Sequence, residues 1–198
     1  MTVFSLSAYR NRHYPAFAAL DDSLTAEEIQ EWVRWGDSRP TEAATISRPS
    51  GSVVDASFRE ARLGWLHPGR ESRGLFERLR LLVEKVNAEN FGFDLLGFAE
   101  PVQYTVYEAP SIGYEWHVDM IDAPNQLQRK LSLTIQLSDG AAYEGGDLEL
   151  RDGAKVVKAP RAAGCLLAFP SWTLHRVTPV TRGQRRSLVA WIGGPRFR

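Results

Sequence analysis

The hydrophobic pattern changes character along this chain. Its first half carries two stretches in which apolar residues recur every three or four positions; beyond Leu95 they alternate or gather in runs of four to eight. The first helical stretch is L-D-D-S-L-T-A-E-E-I-Q-E-W-V-R-W-G-D. Ser23 or Thr25 can accept from the free N–H groups of its first turn, acidic residues suit the positive end of its dipole, and Gly36 is expected to end it. Ile29, Trp32 and Val33 form its apolar stripe. A second helix is predicted from about Glu71 to Asn90. Leu75, Leu79, Leu82, Val83 and Val86 share one broad face, Arg and Glu occupy mainly the other, and Asn90-Phe91-Gly92 closes it. Around these helices, residues 3–9 alternate like a short strand. Residues 37–57 read as a loop with one strand near Ala44–Ile46, and residues 58–66 as a strand before the turn His67-Pro68-Gly69.

The second half is all short strands. P-V-Q-Y-T-V-Y, Y-E-W-H-V-D-M, K-L-S-L-T-I-Q-L, D-L-E-L-R, K-V-V-K, C-L-L-A-F, T-L-H-R-V and R-S-L-V-A-W-I follow one another, separated by Gly, Pro and Asp. Eight such strands predict a mainly β fold with supporting helices (α+β): a jelly-roll-like, double-stranded β-helix barrel of cupin type packed on N-terminal helices. No repeat or linker interrupts it. Residues 1–198 are therefore expected to be one domain, with 1–98 as helical support and 99–198 as the barrel core.

Composition narrows the function classes. Lys+Arg and Asp+Glu balance at 24 each in 198 residues, so no global field draws nucleic acid or an anionic membrane. The single cysteine, Cys165, sits in the apolar run G-C-L-L-A-F and reads as a small core residue of a protein in a reducing compartment. No signal peptide or membrane span is visible, and a cytoplasmic protein is the expectation.

Candidate chemistry gathers in the stretch Y-E-A-P-S-I-G-Y-E-W-H-V-D, from Tyr107 to Asp119. If residues 115–120 form a strand, His117 and Asp119 leave the same face about 6.5 Å apart and can reach one ion with bonds of about 2 Å. A lone His-x-Asp carries little weight, because such pairs arise by chance and most single histidines serve structure. Its company carries the argument. Fifty-six residues after Asp119, His175 stands in F-P-S-W-T-L-H-R-V-T-P-V-T-R-G-Q-R, and ten residues later Arg185 opens the next strand. Two neutral imidazoles and one carboxylate with open positions are the ligand set of non-haem Fe(II) oxygenases. A 2-oxo acid chelates such an ion through its 2-oxo group and nearest carboxylate, and its far carboxylate needs an anchor. Arg185, returned by a hairpin, offers a bidentate fork for it. Arg186 should point to the opposite face, and Tyr107 offers a hydroxyl from the neighbouring strand.

On these residues the segment 104–198 resembles the catalytic domain of prolyl-4-hydroxylase-type Fe(II)- and 2-oxoglutarate-dependent dioxygenases, in particular their bacterial and phage members. R-K-L-S-L-T-I-Q-L-S, Y-E-G-G-D-L-E-L, F-P-S-W-T-L-H-R-V-T-P-V-T-R-G-Q-R and W-I-G-G-P-R-F-R carry the likeness. The resemblance implies Fe(II) bound by His117, Asp119 and His175. It implies 2-oxoglutarate held by Arg185 and Tyr107, O2 as oxidant, and ascorbate as a stimulant. Gln136, Leu148, Val177 and Trp191 fall where family members line the cosubstrate pocket, and Tyr114 matches an aromatic near the substrate mouth. Two departures stand out. The glycine that often follows the tyrosine by three positions comes late, as Gly113, and residue 186 is Arg where relatives often carry Tyr.

Hydroxylation of an unactivated C–H with release of succinate and CO2 is the implied reaction. Asp119 argues against halogenation, because related halogenases lack that carboxylate. The substrate is expected to be a prolyl or other amino-acid side chain in a peptide or protein; a free amino acid or small metabolite is the alternative. A groove of Trp116, Trp172, Arg176, Tyr143 and the 37–57 segment would suit an extended peptide, although tryptophans equally serve as barrel packing. Nucleic acid is disfavoured, since Trp191 stands where alkylation-repair relatives carry a second arginine. A barrel that only stores a metal or small acid is the rival from another class, and it gives Arg185 and Tyr107 no purpose. The arginines near the C-terminus (Arg182, Arg186, Arg196, Arg198) read as a solvated face.

Overall fold

The computed structural model of the protein describes residues 14–48, 51–121 and 127–196. The first half runs β1 (Ala18–Leu20), α1 (Ala26–Asp37), β2 (Glu42–Ala43), β3 (Thr45–Arg48), β4 (Gly51–Val54), β5 (Arg59–Glu60), β6 (Arg62–Leu66) and α2 (Arg73–Val86). A π-helical turn over Asn87–Phe91 continues α2, and β7 (Gly97–Phe98) follows. The second half runs β8 (Val102–Glu108), β9 (Gly113–His117), β10 (Gln128–Gln136), β11 (Glu144–Gly145) and β12 (Leu148–Asp152). It ends with β13 (Lys155–Lys158), β14 (Leu166–Pro170), β15 (His175–Val177), β16 (Val180–Arg182) and β17 (Gln184–Gly194). All eight strands expected beyond Leu95 are present. The strand expected over residues 3–9 lies outside the described residues. Among the described residues no helix is long and apolar enough to cross a membrane.

The elements form where local chemistry directs them. Thr25 caps α1 in a reciprocal box: Glu28 N–H donates to the Thr25 hydroxyl at 3.2 Å, and Thr25 N–H donates to the Glu28 carboxylate at 2.8 Å. Gly36 does not end this helix, which continues to Asp37. A Cβ at position 36 would lie 2.5 Å from the Tyr104 ring, so glycine is there to let α1 approach the sheet. The Tyr104 hydroxyl donates to Asp37 at 2.7 Å, and Arg186 pairs with the same carboxylate at 3.2 Å. Arg186 therefore fastens α1 to the outer side of the sheet and is not among the residues lining the cavity described below.

Two sheets define the body. The larger runs β1-β14-β10-β17-β8-β6-β2, with β7 also on β17; the smaller runs β13-β12-β15-β9-β5. They face one another as the layers of a double-stranded β-helix but remain separate ladders and do not close into a barrel. The first half is more than helical support, since β6 pairs with β8 and β5 with β9. The segment read as a loop with one strand holds β2 and the β3–β4 hairpin.

Period-2 alternation divides the larger sheet into two faces. Leu131, Leu133, Ile135, Leu166, Ala168, Leu188, Ala190, Ile192, Val102, Tyr104 and Val106 meet the apolar faces of α1 and α2 in one core. The opposite face carries Gln103, Thr105, Tyr107, Ser132, Thr134, Arg185, Ser187 and Trp191, all buried. Polar positions on an antiparallel strand ordinarily meet water. Here they meet the smaller sheet, and a cavity lies between them.

Candidate metal and cosubstrate site

The cavity has a volume of about 720 Å³ and is walled by both sheets. Strand β17 contributes Arg185, Ser187, Val189 and Trp191; β8 contributes Gln103, Thr105 and Tyr107; the smaller sheet contributes Tyr114, His117, Leu148, His175 and Val177. From the first half come Thr45, Phe58, Arg59, Leu63 and Trp65.

A bulge in β9 determines which side chains reach it. His175 of β15 stands opposite His117 and Val177 opposite Tyr114, so one strand spans in two steps what the other spans in three. The extra residue reverses parity between Tyr114 and Trp116. Tyr114 and His117 consequently share a face, stacked with ring centres 3.5 Å apart, while Trp116 turns outward. Gly113 begins this irregular segment at φ +82°, where a Cβ would stand 2.2 Å from the Val177 carbonyl oxygen. The late glycine is thus required by the close approach of β15.

Three ligand-type side chains converge. His117, Asp119 and His175 each offer a donor atom within 4.8 Å of the others. His117 Nε2 lies 3.8 Å from Asp119 Oδ1, and His175 Nε2 lies 3.6 Å from Asp119 Oδ2. Donors bound to one ion at about 2 Å are separated by about 3–4 Å, so the set fits a single cation. Asp119 lies beyond the end of β9 rather than within it. Its N–H donates to the Ser171 carbonyl at 2.9 Å, which holds the loop against the β14–β15 turn. Both imidazoles are oriented from behind: Nδ1 of His117 donates to the Glu115 carbonyl at 2.7 Å, and Nδ1 of His175 to the Thr173 carbonyl at 2.9 Å. A carbonyl only accepts, so each Nδ1 carries the proton and each Nε2 presents its lone pair inward. Ser132 donates to Asp119 Oδ2 at 2.7 Å and contacts the Ser171 hydroxyl at 3.0 Å.

Electrostatics prepares the set for a cation. Burial, with the neighbouring His175, pushes His117 down to about 3, so its imidazole is neutral at ordinary pH. Burial alone would raise Asp119, but the two imidazoles, the Ser132 hydroxyl and Arg129 outweigh it and hold the carboxyl below its usual range. Neutral imidazoles and an ionised carboxylate are the states a metal requires.

A second feature sits on the larger sheet. Arg185 is 1% exposed, lies opposite Tyr107 in the ladder, and makes one hydrogen bond, from Nη1 to the Ser187 hydroxyl at 3.3 Å. Its Nε and Nη2 have no hydrogen-bond partner, and neither do the hydroxyls of Thr105 and Tyr143 or the indole N–H of Trp191. A buried guanidinium without a counter-charge costs several kcal/mol, and the orphaned donors of Arg185, Thr105 and Trp191, which line one wall of the cavity, call for an anionic ligand. Arg129 differs. It pairs with Glu100 through Nε at 2.7 Å, lies over the Trp191 ring at 4.0 Å, and donates to the Asp119 carbonyl at 3.2 Å.

The structure brings together Tyr107, Tyr114, His117, Asp119, Leu148, His175, Val177, Arg185 and Trp191. Gln136 shares the inward face of β10 but is not among the residues lining the cavity. Four residues assigned to a substrate groove lie elsewhere. Trp116 and Arg176 are on the outer face of the smaller sheet, where Trp116 sits beneath the guanidinia of Arg151 at 5.1 Å and Arg176 at 4.8 Å, and Arg176 pairs with Glu149 at 2.8 Å. Trp172 packs on Phe93 and Tyr14, with ring centres 5.4 and 6.4 Å away. Tyr143 is buried beside Arg185 under the Arg161 guanidinium, away from any surface groove. Sequence reasoning missed Arg59, Gln103, Thr105, Thr134 and Ser132. The alternation of polar residues along V-Q-Y-T-V-Y and K-L-S-L-T-I-Q-L was a signal for the last four, had that face been recognised as the inner one.

Facing sheets of this topology, with two histidines and an aspartate between them and a buried arginine on the opposite wall, define the class of double-stranded β-helix proteins that present a metal centre. The model of the 2OG-Fe(II) oxygenase superfamily matches residues 102–193. A PKHD-type hydroxylase of Hyphomonas neptunium is 33% identical over 164 residues, covering 81% of this chain and 67% of that one. The chain belongs to the 2OG-Fe(II) oxygenase superfamily. A PKHD-type hydroxylase of Teredinibacter turnerae is 47% identical over 85 residues, which are 40% of this chain and only 37% of its own length. Among solved structures, a Pseudomonas putida prolyl-4-hydroxylase superposes with a TM-score of 0.72 at 20% identity, covering 91% of this chain and 94% of that one. A Trichoplax adhaerens prolyl hydroxylase, solved with a hypoxia inducible factor peptide fragment, superposes with a TM-score of 0.68 at 20% identity, covering 90% and 83%. At such identity these likenesses speak for the fold.

Proposed function

We propose that the protein is an Fe(II)- and 2-oxoglutarate-dependent hydroxylase acting on an amino-acid side chain, a prolyl residue in a peptide or protein being the leading candidate. The observation that carries this reading is the buried, unpartnered Arg185 guanidinium on the wall facing His117, Asp119 and His175. A site that merely stored a cation would have no use for it. Orphaned donors at Arg185, Thr105 and Trp191 fit the polar groups of a dicarboxylic 2-oxo acid.

His117, Asp119 and His175 would hold Fe(II) through Nε2, a carboxylate oxygen and Nε2, with the Glu115 and Thr173 carbonyls fixing the rings and Ser132 fixing the carboxylate. Arg185, beside Tyr107, would take the far carboxylate of 2-oxoglutarate as a bidentate pair. Iron and 2-oxoglutarate, once bound, supply the power to insert one oxygen atom of O2 into a C–H bond, the other atom leaving in succinate alongside CO2. The chain's own part is to orient both, to keep the His117 imidazole neutral, and to exclude water with Leu148, Val177 and Phe169. Tyr114, stacked on His117, lies at the boundary with the substrate space. The names of the PKHD-type relatives and the prolyl hydroxylase neighbours support the hydroxylase assignment and the prolyl candidate.

The test is spectroscopic and chemical. Anaerobic addition of Fe(II) and then 2-oxoglutarate should give the weak visible charge-transfer band of the chelate, and admitting O2 should release succinate. Absence of the band, or its persistence in His175→Ala, would overturn the assignment. Screening proline-containing peptides and free amino acids for a gain of one oxygen mass then addresses the substrate.

A further inference from the structure

Arg59 is the charged group of the cavity that the cosubstrate reading leaves unused. It is 9% exposed and lines the same cavity as the metal ligands. Its guanidinium carbon lies 4.5 Å from the Tyr114 ring centre, and Tyr114 is stacked in turn on His117 at 3.5 Å. The cation is thus one aromatic ring away from a ligand imidazole. Its polar contacts are neutral: Nη2 donates to Gln103 Oε1 at 3.2 Å, Nη1 donates to the Thr45 carbonyl at 3.3 Å, and Nε is buried with no hydrogen-bond partner. Glu60, next in sequence, is turned away and accepts from the Ile112 N–H at 2.9 Å.

Charge balance sharpens the point. Of the charged residues lining the cavity, Arg129 and Glu100 neutralise each other. With a divalent ion and a dianionic 2-oxo acid in place, the ion, Asp119, Arg185 and the diacid also cancel. Arg59 then remains as one uncompensated positive charge in a buried position, an arrangement that is unfavourable unless an anion enters. Nε has no partner and both Nη atoms donate only to neutral oxygens, and a single surplus charge matches a carboxylate better than a phosphate dianion.

We propose that Arg59 is a specificity-determining residue that anchors a carboxylate of the molecule to be hydroxylated, so that the substrate is an acidic amino-acid derivative. The carboxylate is either the free α-carboxylate of an amino acid or peptide end, or an acidic side chain beside the target residue. This rests on the iron and 2-oxoglutarate reading above. Gln103 and Tyr114 hold the guanidinium in place from below and beside, and Tyr114 separates the anchored carboxylate from the metal centre.

The experiment uses the full chain loaded with Zn(II) and 2-oxoglutarate, which bind without turnover. Wild type, Arg59→Gln and Arg59→Lys are titrated by calorimetry with three sets of probes. The first is N-acetyl amino acids, N-acetyl-proline among them. The second is doubly capped Pro-Asp and Pro-Glu dipeptides, and the third is the corresponding primary amides of both. In the wild type at least one acid should bind ten-fold or more tightly than its amide. That preference should vanish in Arg59→Gln and be partly kept in Arg59→Lys, while 2-oxoglutarate affinity stays equal in all three. Preference for the N-acetyl acids identifies an α-carboxylate, and preference for the capped dipeptides an acidic side chain. If the wild type binds no probe, or binds acid and amide alike, the proposal is overturned. It is equally overturned if Arg59→Gln keeps the preference. If 2-oxoglutarate itself fails to bind the wild type, the fault lies in the underlying reading, and this proposal falls with it. Thermal melts of the three proteins separate loss of the anchor from loss of the fold.

Discussion

Replacing Arg185 by methionine is expected to make the ligand-free protein more stable and the site useless. The side chain is 1% exposed and makes one hydrogen bond, at 3.3 Å to a neutral hydroxyl, leaving Nε and Nη2 without hydrogen-bond partners. Exchanging a poorly compensated buried charge for an apolar group of similar length commonly stabilises by about 1–4 kcal/mol. For a chain of this size each kcal/mol moves the melting temperature by about 2–4 °C. Losses in packing against Tyr107 and Tyr143 offset part of this, so a rise of about 2–6 °C is expected for Arg185→Met without ligand. Ligand addition should reverse the order. At a hundred times its Kd, 2-oxoglutarate adds about 2.7 kcal/mol to the metal-loaded wild type and nothing to the variant. Differential scanning fluorimetry with Zn(II), with and without 2-oxoglutarate, reads both effects. A ligand-free Arg185→Met protein that melts several degrees below wild type would refute the reasoning, because it would mean that the guanidinium already has its counter-charge. Equal stabilisation of both proteins by 2-oxoglutarate would show that the arginine is not its anchor.

Ser132→Ala removes the 2.7 Å hydrogen bond that orients Asp119 and should weaken metal binding by about 10- to 100-fold while leaving the fold intact, measured by competition with a chelator. Protonation gives a second prediction, with a definite sign. Folded His117 stays neutral down to about 3, whereas the unfolded chain protonates it near 6.5, so the unfolded state binds one more proton between these values. The metal-free protein should therefore lose up to about 1.4 kcal/mol of stability per pH unit from this residue as pH falls below 6.5. His117→Gln should flatten that dependence, as read by denaturant midpoints in the presence of a chelator; an unchanged slope would mean that His117 titrates normally. Trp116→Ala tests the bulge. Because Trp116 lies on the outer face between Arg151 and Arg176, the change should cost about 1–2 kcal/mol of stability and leave metal and 2-oxoglutarate affinity unaltered. A loss of either affinity would place the ring inside.

Much of the candidate site was legible because its parts lie close in sequence. His117 and Asp119 are two positions apart and Arg185 follows His175 by ten, so ligand chemistry pointed to a common site; the hairpin expected to return Arg185 is not formed, because β15 belongs to the smaller sheet and β17 to the larger, and Arg185 reaches the cavity from the opposite wall. The groove assignments failed for an equally specific reason. Trp116, Arg176 and Trp172 were judged by residue type and nearness to a ligand, but a strand has two faces, and nearness does not choose between them. Arg59 was passed over because it lies far upstream, in a short strand whose pairing with β9 brings it beside Tyr114.

The sequence by itself determined most of the elements and the candidate ligand set. Alternation, capping residues and turn signals are local, and so is the spacing of His117, Asp119, His175 and Arg185. Only the tertiary structure decided which face of each strand became the inside. The extra residue in β9 sets the direction of Tyr114, Trp116 and His117, and the packing of α1 and α2 on the apolar face of the larger sheet sends its polar face into the cavity. A shift of one residue in pairing exchanges the two faces of a strand, and pairing depends on partners distant in sequence, so no local pattern could have specified it.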